Sequence, residues 1–262
     1  MKHRSGRCLL ALLFAATAGA AQGAPQPQPP QPDKEVAEKL ATLRDIVNDR
    51  NVARDGEARE VISVLLKKCD GGLNDKDKAA ILKGLESVFY QGKLREADNL
   101  QLYKAAAQAL GRMGKAAGKV LSDAYKSDRF PNGREWIPLH EELLEQLGRT
   151  KDDTAIEQLQ KLLGHHEPSI QAAAGKALGN FDDSKDAVRK QIVGTLITRW
   201  GELESKATPI DPGNIEAKDA RDTIAKISGP WKATLRKLTR QDFAQFRQWQ
   251  EWHNKNKGRD WK

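Results

Sequence analysis

The side chains able to do chemistry fall in a few short clusters. His165-His166-Glu167 sets three potential metal ligands side by side. Adjacent residues seldom converge on one ion, and no second ligand pair follows at zinc-like spacing. His140 and His253 stand alone in the sequence, and His140-Glu141-Glu142 lacks the second histidine of a zincin helix. Gly111 and Gly114-Lys115 sketch a phosphate loop. Only two residues separate these glycines where four are needed, and Ala116 replaces the Ser or Thr that should follow the lysine. Cys69 ends the run Val64-Leu65-Leu66-Lys67-Lys68, where it reads as a small buried hydrophobe with nothing nearby to activate the thiol. No Gly-x-Ser-x-Gly elbow occurs. The expectation is a chain with no catalytic residue, no metal and no cofactor.

The elements that would position these residues begin after a leader. Lys2, Arg4 and Arg7 precede an apolar run from Cys8 to Thr17, and Ala18-Gly19-Ala20 supplies a cleavage pattern. Together they read as a secretory signal peptide over 1–24, cut near Ala20, which predicts export to the periplasm or beyond. The apolar run is far short of a membrane span. Cys8 precedes the apolar run, so lipidation is not expected. Without the leader Cys69 is the sole cysteine, and no internal disulfide can form. Pro25-Gln26-Pro27-Gln28-Pro29-Pro30-Gln31-Pro32 is a stiff polyproline-type linker over 25–33.

Beyond it the apolar residues recur at helical spacing. Val36, Leu40, Leu43 and Val47 form one stripe, and Ala58, Val61, Ile62 and Leu65 another. Asn74 and Asp77 resemble a capping pair ahead of Ile81, Leu85, Val88 and Phe89. Phe130-Pro131-Asn132-Gly133 marks a longer loop, and further helices are predicted over 168–178, 186–203 and 215–227. Gly229-Pro230 reads as a stop, with two short helices after it. Leu-Gly pairs at Leu110-Gly111, Leu147-Gly148 and Leu178-Gly179 lie 37 and 31 residues apart, each glycine expected to close a helix. Paired helices with a period in the thirties are the mark of an α-solenoid.

The stretch Leu162-Leu163-Gly164-His165-His166-Glu167-Pro168-Ser169-Ile170-Gln171-Ala172-Ala173-Ala174, running on to Leu178-Gly179, resembles a HEAT repeat. His165 and His166 replace the acidic turn residues of that family, Ile170 its valine and Gln171 its arginine. The match is good over 98–200 and weak over 34–95. The ending from Trp231 to Lys257 is similar to the tryptophan-rich close of exported bacterial HEAT-repeat proteins. The resemblance implies an all-α, HEAT-like right-handed solenoid over 34–228, of about four to five helix pairs. It also implies a function in protein–protein interaction or scaffolding rather than catalysis. The same family includes enzymes such as bilin lyases and DNA glycosylases, an alternative that export and the want of a nucleophile or base disfavour.

The segment 229–262 differs from the rest. It holds nine Lys or Arg against three Asp or Glu, so that the formal charge of +8 resides in the leader and here. Phe243, Phe246, Trp249 and Trp252 recur every three residues. They would either grip a partner as an exposed strip or, with Trp231, fold back as a helix that caps the open end of the repeat array; the cap is preferred. A protein partner is expected, and an anionic envelope polymer docked on the basic segment is the alternative. An exported chain rarely meets nucleic acid, so none is expected.

Overall fold

The computed structural model describes residues 32–208 and 213–261; the leader and nearly all of the linker lie outside them. Among the described residues there are eleven α-helices, three short 3-10 turns and no strand. The helices are α1 (Lys34–Val47), α2 (Asp55–Asp70), α3 (Asp75–Tyr90), α4 (Gln101–Arg112), α5 (Gly118–Tyr125) and α6 (Ile137–Arg149). They continue with α7 (Ala155–Leu162), α8 (Pro168–Leu178), α9 (Asp186–Ala207), α10 (Ile215–Thr239) and α11 (Phe246–Asn256).

Local sequence accounts for five of the starts. The Asp33 carboxylate accepts the Glu35 and Val36 amides of α1, and the Asn74 side chain accepts the Asp77 amide of α3, as its spacing predicted. Glu167 caps α8 just ahead of Pro168, whose missing N–H costs nothing at a helix start. Asn214 caps α10, and Gln245 with Gln248 forms a capping box on α11.

The helices pack next but one along the chain. α2 lies on α4, α4 on α6, α6 on α8 and α8 on α10, while α1 meets α3, α5 meets α7, α7 meets α9 and α9 meets α11. Sequential pairs tie the two rows together, and one continuous apolar core runs from Val36 to Trp261.

Of the Leu-Gly pairs only Leu178-Gly179 closes a helix as expected, Gly179 capping α8. Gly111 and Gly148 lie inside α4 and α6, and Gly179 follows α8 with an ordinary right-handed φ of −67°. What requires glycine is proximity. A methyl group on Gly148 would fall 2.5 Å from the Ala177 carbonyl oxygen, and one on Gly179 would fall 2.7 Å from Thr234 Oγ1. Gly111 meets Gln146 in the same way, and Gly175 meets the Trp231 indole. The glycines mark where consecutive helices of one row cross closest.

Gly229-Pro230 does not stop a helix: α10 runs through it, so one helix, not two, follows α10. Pro230 leaves the Lys226 carbonyl without its helical donor. Lys226 and Gly229 are exposed, so water can replace that bond, and the opposite face holds the helix together. Ile227, Trp231, Leu235 and Leu238 are fully buried there. Trp231 Nε1 donates to the Gln171 carbonyl at 3.0 Å, and Thr234 Oγ1 donates to the Gly175 carbonyl at 2.8 Å. α10 therefore crosses the expected boundary at 228/229 without a break.

Candidate functional site: a histidine cleft and a polar groove

Two concave features stand out. The first, of about 500 Å³, lies between the 132–134 loop with the start of α6, the 165–168 turn with the start of α8, and residues 219–223 of α10. The second, of about 430 Å³, runs across α2, α4 and α6.

The cleft gathers histidines that the sequence keeps apart. His140 of α6 lines it together with His165 and His166, although it precedes them by 25 and 26 residues. His140 is 3% exposed, and its Nε2 lies 3.2 Å from the Phe130 carbonyl oxygen. A carbonyl can only accept, so Nε2 carries the proton and Nδ1 the lone pair. Phe130 itself is anchored in the core, its ring 5.0 Å from Tyr103 and 5.5 Å from Trp136. His165 has the same tautomer for a different reason: its Nδ1 accepts the Glu167 backbone N–H at 3.0 Å. Its carbonyl accepts from Gln171, and its ring lies 4.2 Å from that of His166.

Burial holds the His140 imidazolium down, the nearby His165 adds to this, and the Phe130 carbonyl opposes it. Burial and the neighbouring His166 likewise lower His165 against the pull of Glu167. Both rings are therefore neutral at pH 7. Asp219 and Asp222 also line the cleft, the latter ion-paired with Lys218 at 3.4 Å. Arg134, Ile137, Pro168 and Ile170 are also among the lining residues. Among the described residues no three His, Cys, Asp or Glu side chains converge closely enough to hold a metal ion.

The groove is built from charge. Arg112 pairs with Asp70 at 2.6 Å, and Glu145 takes both Arg149 at 3.0 Å and Lys176 of α8 at 2.7 Å. Burial alone would raise the Glu145 carboxyl, but Lys176 and Arg149 hold it below the ordinary carboxylate range. Arg59, Ile62 and Leu66 of α2 and Ala105 and Gln108 of α4 also line it. Cys69 borders a separate hollow with Met113 and Leu82, and burial pushes its thiol up, away from reactivity.

The aromatic residues of the tail turn inward and do not form one strip. Phe243 precedes α11 and meets Trp249 edge-on at 4.9 Å. Trp249 is fully buried, and its Nε1 donates to the Phe243 carbonyl. Phe246 stacks on Trp200 at 5.4 Å, Trp252 lies 5.2 Å from Trp261, and Trp231 sits 6.1 Å from Trp200. The sequence reading missed Trp200 and Trp261, since neither shares the three-residue spacing. Trp261 is secured by its own backbone: its N–H reaches Asp186, and its carbonyl accepts from Arg189.

None of the described helices is long and apolar enough to cross a membrane. In comparison with known proteins, the chain matches no family model, no curated protein and no solved structure.

Proposed function

We propose that the chain is a non-catalytic binding module, a HEAT-like right-handed solenoid of about four to five helix pairs that presents an extended face to a protein partner. The observation that carries this reading is the next-but-one stacking of α2, α4, α6, α8 and α10, with glycine at three of the crossings along α4 to α10. Such a row offers side chains from successive helices as one rigid surface, and a groove of it runs over α2, α4 and α6. Export through the leader and function in the cell envelope belong to the same proposal. The tail acts in it as a cap: Phe246 and Trp249 lie against the body rather than in solvent. The alternative docking of an anionic polymer on the tail is less favoured. Arg236 and Arg247, two of its cations, are already paired with Asp242 and Glu251.

The test uses the whole mature chain, residues 25–262, because a cut at 228 would sever α10. Immobilised protein is exposed to envelope extract beside the variant Arg59→Glu/Arg149→Glu, with circular dichroism confirming that both are folded. A protein retained by the parent and lost from the variant supports the groove as the partner's seat. Equal retention by both removes the groove from the proposal, and no retention even at low salt refutes the scaffold reading.

A further inference from the structure

Glutamine–hydroxyl pairs join α5 to α7 and α7 to α9, and the first of the two joints is incomplete. Between α7 and α9, Gln160 is satisfied at both ends: its Nε2 donates to Thr195 Oγ1 at 3.1 Å, and its Oε1 accepts from Gln191 at 3.1 Å. Between α5 and α7, Ser122 Oγ donates to Gln158 Oε1 at 2.5 Å, a separation that suits a hydroxyl on a carbonyl and is too short for an amide N–H. That contact fixes the orientation of the amide, and the buried Gln158 Nε2 is left with no acceptor. A buried donor without a partner destabilises the fold that holds it, and nothing in the helix packing makes use of this one.

The same hydroxyl holds a cation. Lys126 Nζ donates to Ser122 Oγ at 2.9 Å and has no carboxylate partner among the described residues, whereas Lys119 and Lys161 are paired with Asp123 and Glu157. Ser122, Lys126 and Gln158 line a further groove, of about 630 Å³, together with Tyr125 and Leu162. Burial pushes the Tyr125 phenol up to about 12, so it keeps its proton at neutral pH.

We infer that this groove binds an organic monocarboxylate, one oxygen on Lys126 Nζ and the other on Gln158 Nε2, with the apolar body of the molecule on Tyr125 and Leu162.

Both donors belong to groups bonded to the one Ser122 hydroxyl, which keeps them within the span of a single carboxylate. Charge selects the class. With Lys119 and Lys161 already paired, one positive charge remains, and a monocarboxylate brings one negative charge to it. A phosphate monoester brings about two. A neutral sugar leaves Lys126 uncompensated, and an amine would add a second cation beside it. Lys119, Lys126 and Lys161 are exposed, so their arms are free to part and admit a ligand. A volume of about 630 Å³ suits an organic molecule of modest size. The groove lies between α5 and α7, whereas the proposed partner seat is lined from α2, α4 and α6, so the failure of either reading leaves the other standing.

Isothermal titration and amide proton–nitrogen NMR of purified residues 25–262 at neutral pH test it, with phenylacetate as the probe and phenethyl alcohol and phenyl phosphate beside it. Saturable binding of phenylacetate is expected, with a shift of the Gln158 side-chain amide signal, and the alcohol should bind about tenfold more weakly or not at all. Lys126→Ala and Gln158→Met should each weaken phenylacetate binding by about tenfold, one charge-assisted hydrogen bond being lost in each. Circular dichroism will show that both variants fold. No saturable binding of phenylacetate to the folded parent overturns the inference and leaves Gln158 to an ordered water. Binding undiminished in either variant, equal binding of the alcohol, or tighter binding of phenyl phosphate overturns it as well.

Discussion

Arg95 offers the sharpest test of how the first helices are held. Its side chain is fully buried, yet it lies in the 91–100 connection and not in a helix. The guanidinium grips Asp55 with two bonds, at 2.8 and 3.2 Å, and its Nη1 donates to the carbonyls of Val47 and Lys93. Val47 is the last residue of α1 and Asp55 the first of α2, so one side chain satisfies a helix C-terminus and ties down a helix N-terminus. The Arg95 backbone N–H adds a bond to the Tyr103 hydroxyl of α4 at 3.1 Å. Asp55→Ala leaves this cation without its counter-charge in a site that water does not reach. Breaking a buried pair from one side costs about 3–5 kcal/mol. For a chain of this length that is about 6–20 °C in Tm. The double variant Asp55→Leu/Arg95→Met removes both charges and should recover much of that loss. Thermal and urea unfolding followed by circular dichroism will measure both. A fall of less than about 2 °C for Asp55→Ala, or a double variant no more stable than the single one, refutes the reasoning.

Gly148→Ala should destabilise by about 1–3 kcal/mol, because its methyl would press on the Ala177 backbone and the helices would have to part; a neutral effect in urea unfolding would remove the close-crossing argument. Pro230→Ala should stabilise, by up to about 3 kcal/mol, by restoring a helical N–H, whereas a helix that truly ended at Gly229 would gain nothing. Acidification from pH 7 to pH 5 should lower the Tm. His140 and His165 titrate below their unfolded value of 6.5, so the unfolded chain binds more protons across that window. His140→Asn should flatten this part of the profile, and an unchanged slope would deny His140 its share.

The helices were legible because each carries its own apolar stripe and, in several cases, its own cap. Asn74, Pro168 and the 186–203 stripe are local signals, and the structure follows them within a few residues. Pro230 shows where local signals fail: a strong breaker is overruled by a buried Trp231 whose indole is bonded to another helix 60 residues away. Gly111 and Gly148 were found by spacing yet misread in role, because a cap and a close crossing demand the same residue, whereas Gly179 does cap α8. The cleft was the least legible feature. His140 and His165 lie 25 positions apart, and nothing in either neighbourhood announces the other. Arg95 gave no signal at all, since an arginine in a polar connection looks like any solvated one.

The crossings have a consequence for how such a chain can change over time. Gly111 meets Gln146, two positions before Gly148, and Gly148 meets Ala177, two positions before Gly179. This rule fixes which residues touch and is silent on how many lie between them, so the intervals of 37 and 31 satisfy it equally well. Insertions in the turns are free to accumulate while the register at each crossing persists. A duplicated unit spliced in at the same phase would inherit a seat at both its ends.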